Sequence, residues 1–278
     1  MKPLKSMRVL AMLMAVVSYA ELAQAQDKVT LKQNLAANQP WDLSMSWEMK
    51  AEIGGEVHGV ALANQQVNVT VNGTVTYEAV KNGLPVKVKM EFGKDCTTNM
   101  VVMGQKRSPP FRQAGMTVTA TRAADGTLDI APEEALNPDL GFVMQQIMDA
   151  GAEVCSPAPV GVADKWEVKR AAIEKMMGQM ENHEGKIECT LVKFGEVQGR
   201  KCAQVTEKGQ VKGTRHQRPL TVDLTATVMM DLATGVVLSG EYHSVVTELP
   251  TGQQGGQATK TVWTIKQTMT PRKNPPDR

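Results

Sequence analysis

The chain is poor in several of the residues on which chemistry usually depends. Aromatic residues make up only 4% of its 278 positions, and there are four histidines, His58, His183, His216 and His243. No two histidines stand at ligand spacing, and no H-E-x-x-H, G-x-S-x-G or P-loop pattern occurs, so metal hydrolysis, acyl transfer by an elbow serine and nucleotide hydrolysis have no local signature. C-x-x-C is absent, which argues against a thioredoxin-type centre and a zinc ribbon. Charge of one sign is not in excess: 31 basic residues face 29 acidic ones. Beyond the N-terminal segment no apolar run is long enough to span a bilayer.

That segment has its own pattern. Lys2, Lys5 and Arg8 precede the apolar run Val9–Val17, and Ala23-Gln24-Ala25 supplies small residues before the polar Gln26-Asp27-Lys28. Residues 1–25 therefore read as a signal peptide, with export to the periplasm or the cell exterior. Removing them takes three basic residues and one acidic one, which leaves 28 of each. A neutral mature chain gives no case for nucleic acid or an anionic membrane as partner.

Four cysteines, Cys96, Cys155, Cys189 and Cys202, lie beyond the signal. An even count in an exported chain points to two disulfides, with three pairings open. Cys189 and Cys202 flank the turn-rich Gly195–Gly199 stretch, which favours a bridge between them and leaves Cys96 with Cys155.

Two-residue periodicity dominates the rest. Val67, Val69, Val71, Val75, Tyr77 and Ala79 alternate with Asn68, Thr70, Asn72, Thr74, Thr76 and Glu78, the pattern of a long half-buried strand. Lys81-Asn82-Gly83 predicts a turn, and Val86–Phe92 a returning strand. Leu220 to Leu232 alternates in the same way, Ala233-Thr234-Gly235 turns, and strands follow from Val236 and over Lys260–Met269. Helical spacing is confined to Asn137–Ala150 and, interrupted by Gly178, to Ala171–Met180. Residues 271–278 read as a disordered tail. Trp47-Glu48-Met49-Lys50 and Trp166-Glu167-Val168-Lys169 each precede a hairpin, so residues 26–270 form one β-rich unit with possible similar halves at 41–155 and 156–270.

The stretch Pro157-Ala158-Pro159-Val160-Gly161-Val162-Ala163-Asp164-Lys165-Trp166 and the turn Asp231-Leu232-Ala233-Thr234-Gly235 resemble a group of exported bacterial β-rich proteins of unknown function. That group resembles the half-barrel fold of periplasmic lipoprotein carriers. The resemblance implies a curved antiparallel sheet around a helical plug and an apolar cavity, and it implies no catalytic residue. Ala163 stands where the group has glycine. The 18 methionines suit an adaptable apolar interior better than a Cu(I) site, since Met100, Met103, Met176, Met177 and Met180 have no histidine or cysteine beside them. The expectation is mainly β (β-rich α+β): a non-enzymatic exported protein without cofactor that binds an apolar or lipid-like ligand. A structural or protein-interaction module of the cell envelope, with a filled core, is the alternative.

Overall fold

The computed structural model describes residues 28–53, 56–57, 60–61, 65–133, 138–149, 151–177, 180–250 and 258–272. The proposed signal peptide, His58 and positions 273–278 lie outside them. In chain order the elements are β1 (Pro40–Ile53), β2 (Glu56–Val57), β3 (Val60–Ala61), β4 (Gln65–Lys81), β5 (Leu84–Phe92), β6 (Thr97–Val102), β7 (Gln105–Arg107), β8 (Thr117–Arg122), β9 (Leu128–Ala131), α1 (Pro138–Asp149), β10 (Lys165–Glu167), α2 (Arg170–Met177), β11 (Glu181–Val197), β12 (Arg200–Arg215), β13 (Arg218–Asp231), β14 (Val237–Glu248) and β15 (Thr259–Pro271).

Thirteen strands form one antiparallel sheet in the order β10-β11-β12-β13-β14-β15-β1-β4-β5-β8-β9, with β6 on β4 and β7 on β6. The two ends, β9 and β10, do not pair, so the sheet is an open half-barrel. Alternation decides which face is which. On β13, Leu220, Val222, Leu224, Ala226, Val228 and Met230 are buried, whereas Asp223, Thr225 and Thr227 are exposed. Both helices lie on the apolar face. Leu140, Val143, Met144, Ile147 and Met148 of α1 pack with Trp41, Val75, Val88 and Val118, while Ile173 of α2 joins Trp166, Ile187 and Val211.

Turn chemistry sets the register. Asn82 (φ 55°) and Gly83 (φ 78°) are both left-handed, the geometry of a two-residue turn whose twist matches the strands it joins. Gln198 (φ 54°) and Gly199 (φ 76°) do the same between β11 and β12. The β13–β14 turn is built on Asp231, which is 2% exposed. Its carboxylate accepts from Arg200 Nε at 3.1 Å, from Thr234 Oγ1 at 2.5 Å and from Ala233 N–H at 3.3 Å, and Arg200 lies 5.6 Å over the Trp41 ring.

Residues 28–39 form a strap across the end of the sheet where these turns cluster. Val29 bridges to Val160, Asn34 N–H donates to Thr234 O, Leu35 N–H to Gly83 O and Asn38 N–H to Tyr77 O. Strap and turns meet backbone to backbone: a Cβ on Gly83 would sit 2.6 Å from Gln33 O, and one on Gly235 2.2 Å from Lys32 O.

Three expectations need correction. The β11–β12 turn is Gln198–Gly199 alone, so Cys202 faces Gly195 and Cys189 faces Glu207. Cys189 and Gly195 are six positions apart on β11, about 20 Å at the rise of a strand, far beyond the Cα separation a disulfide spans. Cys96 packs in the core around α1 and Cys155 against the one around α2. All four cysteines are free thiols, and the expected pairing Cys189–Cys202 with Cys96–Cys155 does not form. The proposed tail, next, begins too early, since Pro271 pairs with Trp41 and Arg272 N–H donates to Pro40 O. Lastly, the two tryptophan openers differ in setting: Trp47 lies within a 14-residue strand flanked on both sides, Trp166 in a three-residue edge strand.

Candidate functional site

The concave face can be read row by row from the register. One row runs Trp166, Cys189, Glu207, Ala226, Tyr242, Ile265, Trp47, Val69 from β10 across to β4. The next runs Ile187, Gly209, Leu224, Ser244, Trp263, Met49, Val67. Between these strands and the helices the core does not fill. A cavity of about 690 Å³ remains, its wall formed by Leu220, Val222, Leu224, Val246, Trp263, Ile265 and Trp47. Its roof comes from Gln145, Gln146 and Asp149 of α1, from Ala152, Glu153 and Cys155 after it, and from Ala172, Met177 and Met180 in and after α2. Gln33 of the strap also reaches it.

Polar groups in this cavity are few and gathered. Arg122 holds Asp149 at 2.7 Å, and Gln145 donates to the same carboxylate. Arg215 holds Glu248 at 2.8 Å at the far end. Tyr242 donates its hydroxyl to the Glu153 carboxylate. Burial, chiefly, and then the nearby Asp149 charge push the Glu153 carboxyl well above the usual carboxylate range, against hydrogen bonds that lower it. Glu207, two row positions from Tyr242 with Ala226 between them, is 1% exposed and is not part of the cavity lining. Neither of its carboxylate oxygens has a hydrogen-bond partner among the described residues. Burial and the Glu153 charge push Glu207 up as well. Cys155 and Cys189 border this group. Burial raises the Cys155 thiol to about 11, and the Cys189 thiol further, with Glu207, Glu153 and Cys155 adding to the effect on Cys189. Neither is an activated thiolate.

Met177 and Met180 line the cavity, while Met103 is 77% exposed in a turn, so these methionines do not converge. No group of three or more His, Cys, Asp or Glu with metal-ligand geometry occurs among the described residues. His243 sits on the solvent face beside a polar dent of about 340 Å³ formed with Thr225, Thr227, Glu241 and Thr264. Sequence periodicity marked the wall, since Leu220, Val222 and Leu224 lie on the predicted apolar face. Glu207 was missed, although the alternation of Val205, Glu207 and Val211 with Thr206, Lys208 and Gln210 puts it on the buried face.

No family model matches the chain, and no curated protein matches it. Among solved structures its fold is similar to part of lipovitellin, in a structure concerned with lipid–protein interactions in that protein, with a TM-score of 0.52 and 8% identity. The match covers 87% of this chain and 26% of lipovitellin, so the chain spans about a quarter of that protein's length. A protein with a YmcC-like fold from Bacteroides fragilis shares 7% identity over 85% of this chain and 97% of its own, with a TM-score of 0.18. An outer membrane channel from Pseudomonas putida shares 9% over 86% and 97%, with a TM-score of 0.22. No helix among the described residues is long and apolar enough to cross a membrane.

Proposed function

We propose that this is an exported binding protein, without catalytic activity, whose half-barrel holds an apolar or lipid-like ligand between the sheet and its two helices. The observation that carries this reading is the cavity. A packed interior would suit a purely structural module of the envelope, whereas about 690 Å³ lies within the range of small-molecule sites. Its wall is Leu, Val, Ile and Trp, and its roof includes Met177 and Met180, flexible side chains that adapt to varied chain shapes. The lipovitellin likeness supports the architecture, and lipid–protein interaction is a property of that protein. Export rests on the sequence pattern of residues 1–25.

The test is direct. Protein stripped of lipid by reversed-phase or detergent exchange is titrated with a fluorescent fatty-acyl probe, and purified protein is extracted for mass spectrometry. The proposal expects saturable one-to-one binding and a co-purifying amphiphile. Absence of both would leave the envelope-module reading in its place.

A further inference from the structure

We propose that Cys155 and Cys189 join as a disulfide that ties the roof of the cavity to β11. The proposal rests on the export reading for its oxidising surroundings, and on the positions of the two residues for the rest. Cys189 is fully buried in the middle of β11, in the row that runs from Trp166 through to Tyr242. The segment after α1 crosses above that row. At one end the Glu153 carboxylate accepts from the Tyr242 hydroxyl, and at the other the Glu153 carbonyl accepts from Cys189 Sγ at 3.9 Å. Cys155 follows two residues later, so its Cα lies within about 7.6 Å of the Glu153 Cα. Its thiol donates to Gly151 O at 3.2 Å, and it packs against the apolar cluster that contains Cys189.

The chain on both sides is pinned. Val154 is fully buried, Ser156 N–H donates to Leu31 O at 2.9 Å, and Leu31 N–H donates to Ser156 Oγ at 3.0 Å. Cys189 is held between β10 and β12. Forming the bridge exchanges two weak sulfur–carbonyl contacts, to Gly151 O and Glu153 O, for one covalent bond. The other two thiols have different surroundings. Cys96 donates to Asn72 O on β4 and Cys202 to Arg200 O on β12, and four strands stand between β12 and β4 in the sheet.

The oxidant is a disulfide, small or protein-borne, of the kind an oxidising compartment supplies. The Cys155 thiolate attacks one sulfur of that disulfide and expels the other as a thiolate. The Cys189 thiolate then attacks the Cys155 sulfur of the mixed disulfide and expels the second. Two protein thiols are oxidised, the donor disulfide is reduced to two thiols, and the two protein protons end on them. Cys155 is the entry point, because it is half-buried and lines the cavity. Burial holds both thiols above their usual range, which slows exchange once the roof is in place. The bond therefore closes most readily during folding.

Full-length protein is unfolded, reduced and refolded in a buffer of reduced and oxidised glutathione. Free thiols are then alkylated and the chain is digested with trypsin without reduction. Cleavage after Lys106, Lys165, Lys193 and Lys201 puts each cysteine on its own peptide. The expected product is the cross-linked pair carrying Cys155 and Cys189. The oxidised parent is expected to melt roughly 5–10 °C above its reduced form, and Cys155→Ser to abolish both the cross-link and that difference. Circular dichroism checks that the variant folds, and mapping of the parent stands without it. Alkylation of Cys155 and Cys189 in the refolded parent, or a bond from either to another cysteine, would overturn the proposal. Because the buffer supplies the oxidant, that failure counts against the pair and leaves the export and cavity readings as they are.

Discussion

Ala163 holds φ at +70°, a left-handed conformation that costs an L-residue with a Cβ roughly 1 kcal/mol relative to glycine. The turn it makes is otherwise well set: Gly161 N–H donates to Asp164 at 2.9 Å, and Lys28 pairs with Asp164 at 3.2 Å. Ala163→Gly is therefore expected to stabilise the protein by about 0.5 kcal/mol, net of the added freedom of the unfolded chain, read as an increase in the denaturant midpoint. Asp231 is the opposite case. Burial would raise its pKa, but hydrogen bonds from Arg200, Thr234 and Ala233 outweigh that and hold it below the usual range. A depressed carboxylate contributes stability above its unfolded pKa and loses it as pH falls, so this turn weakens in acid. Asp231→Ala, which strands Arg200 against Trp41, should cost roughly 3 kcal/mol. Glu207 has the reverse sign. Its pKa is raised by burial and by Glu153, so stability is greatest in acid and declines as pH rises between about 5 and 8. Glu207→Gln should flatten that decline and raise the melting temperature at pH 8 by roughly 2–4 °C; an unchanged pH dependence would refute the burial argument.

At the scale of elements, the alternating strands β4, β5, β13 and β15, the Asn82-Gly83 turn and helix α1 were all legible, because each is encoded by local periodicity or by residues that tolerate a positive φ. The strap was not. Val29, Leu31 and Leu35 keep a two-residue alternation broken by the polar Gln33, but their bonds run to Val160, Ser156 and Gly83, contacts that only the folded sheet creates. Its dependence on close approach is measurable: Gly235→Ala puts a methyl 2.2 Å from Lys32 O at φ +71°, and a loss of about 2 kcal/mol is expected in chemical denaturation. The cavity was legible only by half. The apolar wall followed from alternation, whereas the roof residues Gln145, Glu153 and Cys155 depend on where α1 and the segment after it lie over the sheet.

For the whole molecule, the cysteines show how topology overrides count. Four thiols in a chain whose first 25 residues read as an export signal suggested two bridges, yet a six-position offset along β11 separates Cys189 from the residue facing Cys202. Cys155 is close enough to Cys189 to add to the rise in the Cys189 thiol pKa, after burial, Glu207 and Glu153. Non-reducing peptide mapping is expected to recover no Cys189–Cys202 or Cys96–Cys155 linkage, and finding either would contradict the register described. The larger claim is that the open sheet, the helices and the strap enclose a space for an apolar chain. It is tested most directly by titrating lipid-stripped protein and its Leu224→Trp variant with a fluorescent fatty-acyl probe. Saturable binding by the parent, weakened about ten-fold or more when the indole fills the wall row, is the predicted result; no binding by the parent, or equal binding by both, would contradict it.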